Sequence, residues 1–557
     1  LLSRGLGDVY KRQHIYRNML VACMGVSLLT GMNSCTDKFD EWNTNPHEAT
    51  DDMMDRDDLR TGSFFVQMLK NVFVLEQLAA DGTGIGASTY QIINNLAGDA
   101  FAGYTGANNI WFGGSNFLTY NMTVNWRDTP YERAFVGVMN PWKEINKYSA
   151  ERPQVAAVAT VVKILAMLRT TDMYGPLPYT RFGNGELYNP YDSQEDIYKS
   201  FFKELDNAIA VLTDVHSKDQ STKVLEKYDF LYSGNVESWI KFANSLKLRM
   251  AMRTCYVDGF EVDGKSSQKL AEEAVSHSVG VMTGVTDVAA LLHHTDFSYR
   301  HPLFVIGPGE FDDTRMGATM DSYLNGYKDP RISSYFAISG NGDYTGIRTG
   351  IEINRDKYTT DDFSELAISA ETKLVWMNPA EVYFLRAEGA LRGWNMNGTA
   401  KELYEQGVRT SFEYLGVQGA DAYLADDESV PAPYNDPANS GNSVDEGSPL
   451  LGKVTIKWNE EAGFEENLER IITQKWIAIY PDGQEAWSEF RRTGYPKVFP
   501  VVKNNSGGTI DTNEQVRRIP FPSTEYRDNA ANVTAAVALL GGDDNGGTHL
   551  WWDKKNK

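Results

Sequence analysis

Apolar residues recur at helical spacing along most of this chain. The run VAAVATVVKILAML at 155–168 is apolar nearly all round, which predicts a buried helix, and Pro153 stands where a first-turn proline belongs. Trp239, Phe242, Ala243, Leu246 and Met250 repeat at helical spacing, with Lys241, Lys247 and Arg249 among the intervening positions. The same period runs over residues 59–80, 131–147, 195–213, 267–277, 380–393, 399–415, 465–480 and 484–491. Several of these segments fall in pairs: 131–147 with 153–171, 195–213 with 236–254, and 380–393 with 399–415. Small residues such as Ala387, Ala390 and Gly407 stand where paired helices could cross. The pattern predicts an all-α fold, a scaffold of tetratricopeptide-like helical hairpins with little β-structure. Between the pairs, residues 82–130, 280–375 and 417–460 lose the period and are rich in Gly, Asn, Asp and Tyr. Irregular segments this long in an ordered chain are usually functional loops.

The N-terminal region has a different logic. Lys11, Arg12 and Arg17 precede the apolar run MLVACMGVSLL at 19–29, and TGMNSC at 30–35 follows. This is the order of an export signal, and the run is too short to span a bilayer, which needs about 20 apolar residues. A cysteine directly after the cut site reads as a lipoprotein signal with Cys35 as the lipidated first residue, although Met32 and Asn33 depart from the usual aliphatic–small pair. The acidic stretch TDKFDE at 36–41 suits a tether leaving a membrane. Residues 1–13 have neither core periodicity nor a clean basic start and are taken as extraneous. The expected organisation is therefore 1–34 as extraneous start plus signal, and 35–557 as a single helical domain. It is membrane-attached through its lipid and acts outside the cytoplasm.

The formal net charge is −22, and the first 34 residues carry four basic side chains against Asp8, so the remainder is more acidic still. That balance argues against nucleic acid as a partner. Cys23 leaves with the signal and Cys35 takes the lipid, so Cys255 has no partner for an intrachain disulfide.

Some motifs mislead. GFEVDGKS at 259–266 matches the phosphate-loop pattern, but it follows a helical segment rather than a strand, and Glu261 and Asp263 would repel phosphate. A connector with Asp-Gly turns is the better reading. GTGIGA at 82–87 also follows a helical pattern and is expected to be a flexible loop rather than a dinucleotide site. His293, His294, Asp296 and His301 lack metal-site spacing, so neither a metal nor another cofactor is expected. No catalytic group stands out, because abundant carboxylates make acid pairs such as Asp312–Asp313 expected by chance.

Seven stretches taken together resemble the SusD/RagB family of nutrient-binding outer-membrane lipoproteins of Bacteroidetes. They are CTDKFDEWNTNP at 35–46, TDMYGPLPY at 171–179, WIKFANSLKLRMAMR at 239–253, EVYFLRAE at 381–388, ITQKWIA at 472–478, QEAW at 484–487 and RIPFP at 518–522. The resemblance implies a tetratricopeptide-containing helical lipoprotein on the cell surface. It would cap a SusC-like TonB-dependent barrel and capture a glycan or a peptide for import, without enzymatic activity. Most of these stretches read locally as scaffold: helices, a turn after Tyr174, and an extended strap.

Aromatics make up 12% of the chain, and many lie in Gly/Asn-rich stretches where a core would not put them. Flat aromatic faces with amides and arginine forks are what a sugar surface calls for. Residues 99–127 offer that mixture, and the expected ligand contacts there are Tyr104, Asn109, Trp111 and Tyr120, with Trp126 taken as a plug onto the scaffold. Tyr299 and Arg300 in the central loop form a second candidate. Trp551 and Trp552 are expected to pack or to meet the barrel partner. Glycan or peptide ligand, extracellular hydrolase, and a scaffold that binds only its barrel remain distinct readings at this level.

Overall fold

A computed structural model describes residues 58–75, 86–186 and 188–555. Residues Arg60–Lys557 make up one unit. The other, Leu1–Leu59, lies outside the described residues apart from Asp58 and Leu59, and so do Cys35 and the export signal.

The scaffold is helical, as the periodicity predicts. Its main helices are α1 (Asn140–Lys147), α2 (Pro153–Tyr174), α3 (Gln194–Lys218), α4 (Val236–Arg253), α5 (Ser267–Ser276), α6 (Pro379–Leu391), α7 (Ala400–Leu415), α8 (Phe464–Ala478) and α9 (Gly483–Thr493). The predicted segment 59–80 is helical over Leu59–Val72. The starts are written in the sequence: Ser193, Asn235 and Thr399 each accept a backbone N–H of the first turn, and Pro153 and Pro379 occupy first-turn positions. The predicted pairs pack against each other, α1 on α2, α3 on α4 and α6 on α7, and α4 also packs on α5 and α6 on α8. In the α6–α7 crossing Gly407 lies under the ring of Phe384, where a Cβ would come within 2.8 Å of the ring. α2 is long and apolar enough to cross a membrane, but 83% of its most apolar window is buried in the protein and it serves as a core helix.

Strands are few and short: β1 (Thr105–Ala107), β2 (Glu261–Val262), β3 (Lys265–Ser266), β4 (Ala289–Leu291), β5 (Thr314–Met316) and β6 (Leu374–Met377). They pair antiparallel as β1–β5, β2–β3 and β4–β6. The phosphate-loop look-alike is the β2–β3 hairpin, turned by Asp263 and Gly264 at positive φ, and its Ser266 caps α5. Of the long segment 82–130, residues 82–85 lie outside the described residues, and 86–130 hold more regular structure than their composition suggests. Gln91–Asp99 forms a buried π-helix against α9, where the Cβ position of Gly98 lies 3.0 Å from the backbone nitrogen of Gln484. The Asn94 side chain there donates to the carbonyl of Phe73 (2.9 Å).

Where α4, α6, α8 and α9 meet, the core holds a charged cluster. Arg249 forks onto Glu381 through Nε (2.8 Å) and Nη2 (2.6 Å). Arg253 donates to Glu489 (2.7 Å) and Glu485 (2.5 Å), and Arg492 to Glu388 (2.5 Å) and Glu489 (2.6 Å). Lys475 lies 3.1–3.5 Å from Glu485, Glu381 and Glu489. Every side chain in this group is at least 94% buried. Burial by itself would raise the carboxyls, but Arg253, Lys475 and Arg249 outweigh it and hold Glu485 at about 2, and Arg492, Lys475 and Arg253 depress Glu489 further. Because both folded values lie below the unfolded value near ~4.3, this stabilisation is complete above that pH and drains away as pH falls toward ~2. Asp321, raised to about 7 by burial, acts in the opposite sense only between the two carboxylate values and is silent in acid. The urea midpoint is therefore expected to drop steeply between pH ~4.5 and ~2. A midpoint that is flat or rising over that window would contradict it.

Candidate functional site

Three distant chain segments converge on a cleft. β1 runs antiparallel to β5 with Gly106 opposite Arg315, and the backbone of residues 346–347 crosses directly over it. A Cβ on Gly106 would lie 2.3 Å from the carbonyl oxygen of Ile347, so only glycine permits that approach. Gly350, at φ +72°, is similarly pressed against Val501 and Leu118. Backbone bonds stitch the third segment on: Lys503 N–H donates to Gly350 (2.8 Å) and Asn505 N–H to Thr119 (2.7 Å). The resulting cleft has a volume of about 290 Å³, walled by residues 107–119 on one side and 348–353 with Lys503 on the other.

The first wall is self-braced. Asn116 accepts from the Leu118 N–H (2.9 Å) and donates to the carbonyl of Trp111 (2.9 Å), and Thr119 Oγ1 donates to the carbonyl of Gly114 (3.0 Å). Asn109 lines the cleft; its amide donates to Asp313 (2.6 Å) and accepts from the Ile110 N–H (2.7 Å). Burial raises the Asp313 carboxyl, opposed by hydrogen bonds from Gln91 and Asn109. Ile110, which lines the cleft, is 50% exposed, and Phe112, two residues along the same segment, is 55% exposed. Phe112 has a left-handed backbone (φ 52°), a conformation that costs a bulky residue about 1 kcal/mol or more. Trp111 is half-buried, edge-on to the buried ring of Trp126 at 5.9 Å, and Phe112 and Phe117 meet that ring at 5.3 and 5.5 Å. Trp126 thus anchors the aromatic residues of this segment to the scaffold.

The sequence-predicted contacts divide. Asn109 lines the cleft; Trp111 lies in the same wall segment, but its ring packs on Trp126 and it is not among the cleft's lining residues. Tyr104 is fully buried against Trp476 and Tyr480, its hydroxyl donating to the carbonyl of Trp476. Tyr120 is buried, its hydroxyl directed at Gln515 (3.4 Å). Tyr299 is buried beneath β4, stacked on His293 at 4.1 Å, donating to Leu291 (2.8 Å) and accepting from Leu374 (3.1 Å). Burial pushes its phenol up to about 12. Arg300 is paired with Glu310. The structure does not bring Tyr299 and Arg300 to the cleft. Tyr299 lies instead near a second concavity of about 560 Å³ between residues 223–238, 285–292 and Tyr414. His301, held near 3 chiefly by burial, accepts from the Leu303 N–H (3.1 Å) as a helix cap. Trp552 is buried, donating to Asp172 (2.8 Å), and Trp551 packs on Tyr198 and Phe260.

The opposite wall, with Arg348, Thr349, Glu352 and Lys503, was not foreseen in the sequence, and neither was the exposure of Ile110 and Phe112. GIEIN at 350–354 alternates apolar and polar, a faint strand-like pattern that says nothing of a cleft.

Comparison with known proteins decides the family. The SusD-like family model, described as "Susd and RagB outer membrane lipoprotein", matches residues 41–553. The chain belongs to the SusD-like family. Solved SusD homologues share its fold. A chitin-binding SusD homolog from Flavobacterium johnsoniae is 40% identical with a TM-score of 0.82, covering 89% of this chain and 99% of that one. A SusD homolog from Bacteroides uniformis is 40% identical (TM-score 0.81) and one from Bacteroides ovatus 37% (0.79), with the same coverage. No curated protein matches. The family stretches 239–253, 381–388, 472–478 and 484–487 coincide with the helices of the buried charged cluster, so they mark the scaffold rather than the cleft.

Proposed function

We propose that this SusD-like chain is a non-catalytic surface subunit, lipidated at Cys35 and held on the outer face of the outer membrane. It captures an oligosaccharide in the cleft and hands it to a SusC-like TonB-dependent barrel. The observation that carries the reading is the cleft itself: a braced concavity on a helical scaffold with Ile110 as an exposed apolar lip. A saccharide presents C–H faces to such a lip and hydroxyls to the polar wall. The chitin-binding relative favours a glycan over a peptide. Glu352 is the one carboxylate on the cleft walls among the described residues, whereas glycoside hydrolysis employs two, which favours capture over turnover. In this reading Tyr104, Tyr120 and Tyr299 support the loops, and Asn109 and Trp111 belong to the contact surface.

Calorimetric titration against neutral and acidic oligosaccharides and against peptides tests the ligand class: micromolar-range saccharide binding without released product is expected, and peptide-only binding or hydrolysis would overturn it. Pull-down from outer membranes should recover a large TonB-dependent receptor, and metabolic lipid labelling should vanish in Cys35→Ala. Trp111→Ala should weaken saccharide binding by about 2 kcal/mol, roughly thirtyfold, with little change in melting temperature because the ring is only half-buried. Unchanged affinity with a lowered melting temperature would make Trp111 a packing residue.

A further inference from the structure

The cleft's charge is at odds with the rest of the chain. In a protein of net charge −22, its charged wall residues are Arg348, Lys503 and Glu352. The Glu352 side chain is 88% exposed and only loosely paired with Lys503 at 3.7 Å, so its carboxylate faces solvent rather than closing the cleft. Arg348 is mostly buried, and its guanidinium meets only neutral groups. Nη1 donates to the carbonyl of Asn442 (3.1 Å), Nη2 donates to that of Pro500 (3.3 Å), and Nε is buried without a hydrogen-bond partner. Among the described residues no carboxylate forms an ion pair with it, in contrast to Arg249, Arg253 and Arg492 in the core. A guanidinium carries five N–H donors in a planar fork, and here two are committed to carbonyls.

A mostly buried cation with no counter-ion offsets only part of its desolvation through two carbonyl hydrogen bonds. The arrangement makes physical sense when an anion enters the cleft, because a carboxylate matches the arginine fork bidentately and Lys503 adds a second positive charge at the rim. Burial pulls the Arg348 guanidinium below its ordinary value, the mark of a cation whose neighbours do not neutralise it.

We infer that the cleft selects saccharides bearing a carboxylate, such as uronates or sialates, with Arg348 as the recognition group and Lys503 as the supporting cation. This rests on the reading of the cleft as a saccharide site. The exposed apolar face of Ile110 would meet the sugar ring, and the two cations would distinguish acidic from neutral sugars.

The test uses the whole soluble chain, titrated with oligogalacturonate and with a sialyl oligosaccharide, each beside its carboxyl-reduced neutral counterpart. At about 50 mM salt at least one acidic form should bind about tenfold or more tighter than its reduced form, and the advantage should shrink as salt rises. Arg348→Gln should abolish the preference. Lys503→Gln, on a side chain 54% exposed and only loosely paired with Glu352, should narrow it about threefold. Equal affinity for acidic and reduced forms overturns the inference and leaves saccharide binding standing. A preference that survives both substitutions also overturns it. Tighter binding of a polyglutamate peptide than of any acidic saccharide would overturn it in favour of an acidic peptide ligand. Failure of every saccharide to bind removes the saccharide reading itself, and the inference with it.

Discussion

Glu489→Ala is expected to lower the unfolding free energy by about 3–5 kcal/mol, the usual result of removing one partner from a fully buried ion pair. Glu489 accepts from Arg253 (2.7 Å) and Arg492 (2.6 Å) and lies 3.5 Å from Lys475, all nearly inaccessible to water. Deleting its carboxylate leaves four buried cations, Arg249, Arg253, Lys475 and Arg492, sharing Glu381, Glu388 and Glu485. The loss should therefore far exceed that from removing an exposed partner such as Asp214, whose bond to Lys218 is on the surface. Urea unfolding at pH 7 measures it. Because Arg492 and Glu489 act as one unit, the double variant Glu489→Ala/Arg492→Met should lose less than the sum of the two single losses. Additive losses, or a single-variant loss below about 1 kcal/mol, would show that the cluster contributes little.

Much of the scaffold was legible because helical periodicity is local. Ser193, Asn235, Thr399 and the first-turn prolines Pro153 and Pro379 announce helix starts, and each helix has its predicted core position. The charged cluster was not legible. Lys247 and Arg249 read in the sequence as positions between the apolar ones of α4, yet both are buried. What makes that tolerable lies elsewhere in the chain: Lys247 pairs with Asp206 and Glu273 on the neighbouring helices, and Arg249 with Glu381, 132 residues away. The same limit applies to the cleft. Its first wall showed as a Gly/Asn/aromatic stretch, and Asn109 and Trp111 lie there. Composition alone could not separate Trp111 from Tyr104, since both sit among glycines, and only the meeting of Tyr104 with Trp476 and Tyr480 buries it. The second wall depends on the crossing of residues 346–347 over β1 at Gly106 and on the close approach of Gly350 to Leu118, each joining residues more than two hundred positions apart.

The largest functional effect is expected from closing the cleft without disturbing its frame. Thr349 lines the second wall, is not fully buried, and makes its recorded backbone bond through the carbonyl that accepts from Val502 (3.4 Å). A tryptophan there keeps that bond and places an indole in a space of about 290 Å³. The measurement is calorimetric titration of a panel including chitin hexasaccharide and oligogalacturonate into the parent chain and into Thr349→Trp, with melting temperatures recorded for both. The parent is expected to bind at least one saccharide, and Thr349→Trp to lose a hundredfold or more, about 2.7 kcal/mol, while melting as the parent does. Equal saccharide affinity in both proteins would place the binding site elsewhere and contradict the account.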